Sequence, residues 1–213
     1  MPTMPEELQQ ACDIGLDAMH NHPRCALLPY FRWTIYRALG PLNSMQTRFM
    51  RVRLALLSAR KVQHVWQEER PGDTQVQRLI SLAQKVLRDE VLPEVGRAQA
   101  EDASDQIAAL AVESEEPGKT KTSIRAQSAM LAAVEALFEA SGTYTFCTAY
   151  NHEGETDVDL DPWSSDAALY AAVALSGAVW NVAQDHDKRR EFWEWWLLEA
   201  IPSLYSESGC QGE

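Results

Sequence analysis

Apolar residues recur along this chain at three- and four-residue intervals, and turn-forming residues stand where that rhythm breaks. The clearest case follows Thr74, a candidate cap: Val76, Leu79, Ile80, Ala83, Val86 and Leu87 form one stripe along a helix. Upstream, the same rhythm predicts a helix over 5–19, opened by Pro5 and two glutamates and closed by HNHP at 20–23. A second is expected over 24–39, ended by Gly40-Pro41. A third runs over about 43–69, with Asn43 or Ser44 as cap, Phe49, Val52, Leu56 and Ala59 at helical intervals, and RPGD (70–73) as its stop. Pro93 and Gly96 are expected to kink or end the fourth helix, and a fifth follows over 98–113. ESEEPGKTKTS (113–123) is the most loop-like stretch and reads as a mobile tip. The chain returns to helix over about 123–141, stopping at Ser141-Gly142. TYTFCTAY (143–150) is the only strand-like run, and Asp161-Pro162 reads as the cap and first turn of a helix over 163–180. With a last helix near the end, the expectation is an all-α fold: a single-domain helical bundle of about eight helices over residues 1–213.

That last helix contains RREFWEWWLLEAIP (189–202), with four aromatic rings in five positions. At 100° per residue, Phe192, Trp193, Trp196, Leu197, Ala200 and Ile201 share one half-circle and read as core. Trp195 and Leu198 fall on the opposite side, interleaved with Glu191 and Glu194, and three-residue spacing makes them neighbours. Two arrangements fit: further helices cover them, or they form a small exposed apolar site rimmed by carboxylates, the composition of a binding hot spot.

Composition adds little to this picture until charge is divided along the chain. The 213 residues carry a net charge of -12, yet residues 1–100 hold 13 Lys/Arg against 10 Asp/Glu, and residues 101–213 hold 6 against 21. From 126 to 187 there is no Lys or Arg, while ten carboxylates occur: Glu135, Glu139, Glu153, Glu155, Asp157, Asp159, Asp161, Asp166, Asp185 and Asp187. Such a segment faces water, pairs with the Arg-richer first half, or awaits a cationic partner. The start lacks the pattern of a signal peptide, and the longest nearly uncharged apolar window, 167–180, falls short of the roughly 20 residues that span a bilayer. Cys12, Cys25, Cys147 and Cys210 are scattered without a Cys-x-x-Cys pair, which argues against a zinc cage or disulfide framework. A cytoplasmic protein without membrane contact is expected.

Candidate chemistry is sparse. DVDLD (157–161) spaces carboxylates like the start of a calcium loop, but Pro162 and Ala168 stand where that loop needs Gly and a bidentate Glu. An EF-hand is excluded, and a looser divalent site using His152 or Glu155 is the remaining metal reading. Asp185-His186-Asp187 can orient an imidazole but has no nucleophile beside it, and it also reads as an acidic helix start. His20 and His22 read as helix-terminal residues favoured by the dipole. Arg48, Arg51, Arg53, Arg60 and Lys61 make one helix basic; in so acidic a chain, pairing with its own carboxylates is expected in place of direct nucleic acid binding. No catalytic residue, metal ligand or cofactor is assigned.

The run DPWSSDAALYAAVALSGAVW, followed by KRREFWEWWLLEAIPSLY, resembles the carboxy-terminal signature of a helical immunity-protein family of bacterial polymorphic toxin systems, the one numbered five. The likeness covers roughly 125–205. It is most specific at Asp161-Pro162-Trp163, Asp166, Arg190, Phe192, Trp193 and Trp196, with Trp163, Arg190 and the three aromatic residues taken as signature core. It implies a non-enzymatic protein that binds and blocks a cognate protein toxin. A basic toxin, such as a nuclease, would suit the acidic half. The contact residues expected from charge and exposure are Glu153, Glu155, Asp157, Asp159, Asp161, Asp166, Asp185 and Asp187, with Trp195 and Leu198 as apolar anchor. Two rivals are a helical adaptor or homodimer, in which acidic and basic halves dock between copies, and a metal-dependent hydrolase built on DVDLD.

Overall fold

Alanine sets the centre of the molecule. In the computed structural model, which describes residues 3–41, 43–113, 122–142, 166–178 and 184–206, the helix Ile124–Ala140 (α6) is packed by four other helices. It buries Ala126, Ala129, Ala132, Ala133, Ala136 and Ala140 around its circumference. Side chains this small let neighbouring backbones approach closely, so one rod can be enclosed on several sides. Around it stand α3 (Met45–Glu69), α4 (Gln75–Leu87), α5 (Pro93–Glu113) and α7 (Ala167–Ser176). A second group, α1 (Glu6–Asn21) and α2 (Pro29–Ala38), pack on each other, and α1 also meets the last rod. That rod consists of α8 (His186–Trp195), a π segment (Trp196–Ala200) and α9 (Ile201–Ser206), without a break. Counting it as one, the described residues form eight helical rods and no strand, the all-α class expected.

Several helix starts follow the capping rules. Ser44, Ser123, Asp166 and Asp185 each accept a hydrogen bond from the backbone N–H three residues on. Other boundaries differ from the sequence reading for local reasons. The second helix begins at Pro29, not at 24, because the His22 ring nitrogen Nδ1 accepts from the N–H groups of Arg24 and Ala26 and holds that stretch in a turn. Pro93 opens α5 in place of ending the helix before it: its missing N–H costs nothing in a first turn. Gly96 then sits where α5 crosses its neighbours. A Cβ there would stand 2.5 Å from Ser141 Oγ and 2.9 Å from Val86 Cγ2. The described part of α7 begins after Asp166 and stops at Gly177, whose φ of +89° suits glycine alone, so it is shorter than the 163–180 expected. The expected tip falls mostly on 114–121, and the strand-like run on 143–150; both lie outside the described residues.

Among the described residues, two buried ion pairs join the halves. Arg32, fully buried on α2, donates from Nε to Asp166 Oδ2 at 2.8 Å and from Nη1 to the Leu27 carbonyl at 2.7 Å. Arg51 on α3 lies 2.9 Å from Glu139 Oε1 on α6. Burial raises the Glu139 carboxyl and lowers the Arg51 guanidinium, in each case against the pull of the partner. Desolvation therefore outweighs attraction at this pair, as is usual for buried ions. Arg48 adds a hydrogen bond to the Ala140 carbonyl, 2.6 Å, at the negative end of α6. The expected pairing of the basic helix with the acidic half is thus realised at Arg51.

Candidate interaction surface

The aromatic stretch on the last rod divides as its spacing predicts. Phe192, Trp193, Trp196, Leu197, Ala200 and Ile201 are all buried. The rings pack edge to face: Phe192 with Trp193 at 5.0 Å, Trp193 with Trp196 at 5.7 Å, and Tyr36 with Trp196 at 5.9 Å between centroids. The π segment begins at Trp196 and precedes Pro202. Proline has no N–H, and its ring would press on the carbonyl four residues back, so a widened turn relieves both problems. Leu204 and Tyr205 extend the buried face beyond it.

The opposite side of α8 faces water. Leu198 is 53% exposed, and Trp195 is half-buried, its ring centroid 5.6 Å from that of Phe192 beneath it. Glu191 and Glu199 are exposed on the same rod, and Glu194 is partly so. Of the two arrangements open at the outset, Leu198 takes the exposed one and Trp195 an intermediate place. Two residues from other helices complete this surface. Lys61 of α3 brings Nζ to 4.6 Å from the centre of the Trp195 ring. His20, in the last turn of α1, has Nε2 2.7 Å from Glu194 Oε1. These partners were not read as part of a site from sequence, since nothing in the spacing of α1 or α3 shows which helix they will meet.

The other expected contact residues separate into three groups. Asp185 and Asp187 are exposed on the first turn of α8. Asp185 accepts from the Lys188 N–H at 3.1 Å, a bond that holds its carboxyl below its ordinary value, and Asp187 lies 3.2 Å from Arg190. Asp166 does not belong with them. It is only 5% exposed, pairs with Arg32 and caps α7 through the Leu169 N–H at 2.8 Å, so both oxygens are used internally and the expectation of a surface contact there is corrected. Glu153, Glu155, Asp157, Asp159, Asp161 and Trp163 lie outside the described residues, as does His152, so the DVDLD metal reading falls there too.

One residue of the expected signature core also changes place. Arg190 is exposed, reaching Asp187 and the Cys25 sulfur. The buried arginine is its neighbour Arg189, whose Nε donates to Ser176 Oγ at 3.0 Å and whose Nη2 donates to the Gly177 carbonyl at 2.8 Å, tying α8 to the end of α7. The signal was present: Arg189 stands at positions i-3, i-4 and i-7 from Phe192, Trp193 and Trp196.

Among the described residues there is no group of three His, Cys, Asp or Glu placed to hold a metal ion, and no helix is long and apolar enough to cross a membrane. What the α8 surface offers is an indole, a leucine and carboxylates on a rigid helix, which suits recognition of a protein carrying cationic side chains. No curated protein matches the chain significantly. The sequence profile of Immunity protein Imm5 matches residues 13–203, nearly the whole chain, and the protein belongs to that family.

Proposed function

We propose that this immunity protein acts in the cytoplasm of the toxin-producing cell by binding, without catalysis. Its target is a cognate toxin with a basic surface, such as a nuclease, and its outer α8 face forms the centre of the contact. The observation that carries this reading is the exposed Leu198 beside the half-buried Trp195, with Glu191 and Glu194 on the same face. A large apolar side chain held on a rigid helix loses little entropy on binding, and a carboxylate rim selects a positive partner. Asp185 and Asp187 extend the acidic rim, and the proposal includes Glu153, Glu155, Asp157, Asp159 and Asp161 as further carboxylates drawn to such a toxin.

The test uses the cognate toxin domain, recognised as the one whose toxicity this protein suppresses. Co-expression with this protein restores growth, and titration calorimetry gives the affinity. Leu198→Ala and Trp195→Ala are each expected to weaken binding by about 2 kcal/mol or more, the mark of a hot spot. For the exposed Leu198, little change in melting temperature should accompany that loss. Unchanged affinity in both variants would remove α8 as the contact face.

A further inference from the structure

Lys61 is the one cation that the described structure places on the Trp195 ring, with Nζ 4.6 Å from its centre. An ammonium at that distance is drawn to the negative face of the indole. The ring therefore already shows which chemistry it accepts. Glu191 lies one helical turn before it and Leu198 one turn after, both exposed, while Glu194 is engaged with His20. Ring, exposed carboxylate and apolar ledge together suit an arginine better than a lysine. A guanidinium stacks flat on an indole and can present a paired N–H fork to a carboxylate, and it is more weakly hydrated than an ammonium.

We propose that Lys61 is an internal stand-in for an arginine of the toxin, and that the toxin displaces Lys61 from the Trp195 face when it binds. This inference rests on the reading of the outer α8 face as the toxin contact. Until the toxin arrives, Lys61 covers part of an indole that would otherwise be bare apolar surface. Its removal therefore has an unusual expected sign: a variant lacking a residue of the contact region binds more tightly.

Removing Lys61 also makes the protein one charge more acidic, which by itself speeds association with a basic partner. Arg60, exposed and adjacent, supplies the control, because Arg60→Ala makes the same charge change. The experiment titrates the cognate toxin domain into wild type, Lys61→Ala, Arg60→Ala and Trp195→Leu. It also follows the Lys61 ε-methylene signals by NMR with labelled lysine. In the free protein those signals are expected upfield, shifted by the indole ring current, and they return to ordinary positions in the complex. Lys61→Ala tightens binding about two- to fivefold more than Arg60→Ala does, the range set by an exposed cation–ring contact. Equal gains in the two variants, weaker binding by Lys61→Ala, or Lys61 signals that stay upfield in the complex would each overturn the displacement. Unchanged affinity in Trp195→Leu and in Leu198→Ala alike would overturn the contact face itself, so the two failures are distinguishable.

Discussion

Truncating Asp166 takes a carboxylate from a buried guanidinium and uncaps a helix in the same step. Its Oδ2 balances Arg32, and its Oδ1 receives the Leu169 N–H. Breaking a buried pair from one side costs about 3–5 kcal/mol. Asp166→Ala is therefore expected to lose that much stability in urea unfolding. Asp166→Asn keeps a capping oxygen but loses the negative charge beside Arg32, and should fall between Asp166→Ala and wild type. Toxin affinity of the folded fraction should not change, since this carboxylate faces inward. The sequence showed Asp166 as one acid among ten and could not show its direction; that depends on Arg32, 134 residues away. Arg189 and Arg190 teach the same lesson at closer range. Helical spacing decides which of two adjacent arginines is buried, whereas the likeness to the family signature pointed to the other.

Whole helices were legible where apolar spacing is strong. The rods now numbered α3 and α6 match their expected spans closely, because a stripe of buried residues dictates both period and extent. Boundaries failed where one residue type has two uses. Proline ends some helices and begins others, and at position 93 it begins one. Gly96 was read as a breaker, yet it lies within the first turn of α5 because only hydrogen fits between that turn and the side chains of Val86 and Ser141. Alanine there would gain roughly 1 kcal/mol of helix propensity and suffer overpacking of about 1–3 kcal/mol. Crowding outweighs the gain in propensity, so Gly96→Ala is expected to lower the melting temperature. A raised melting temperature would show that α5 shifts freely on α4 and α6. The π segment had a partial signal in Pro202, but a wheel of constant step cannot represent a widened turn.

For the molecule as a whole, the question is how much of its negative charge reaches the surface. Glu139 and Asp166 are turned inward to Arg51 and Arg32, so part of the acidic half is neutralised by the first half. Each such pair removes one charge of either sign, and the net of -12 is unchanged. Meanwhile the exposed carboxylates are spread more widely than the sequence halves suggested. Glu6, Glu7, Asp13 and Asp17 lie on α1, Glu94, Glu101, Asp102 and Asp105 on α5, and Asp187, Glu191 and Glu199 on α8 and the π segment. A field of that sign accelerates encounter with a basic partner, toward roughly 10^8 to 10^9 per molar per second at low salt, and salt screens it over about 8–10 Å at physiological strength. The most direct test is the association rate of the cognate toxin domain with this protein, measured by stopped flow from low to high ionic strength. The expected result is a steep fall with added salt, flattened when Asp157, Asp159 and Asp161 are reversed to lysine together. An association rate that is slow at low salt and indifferent to ionic strength would contradict recognition of a basic toxin by an acidic surface.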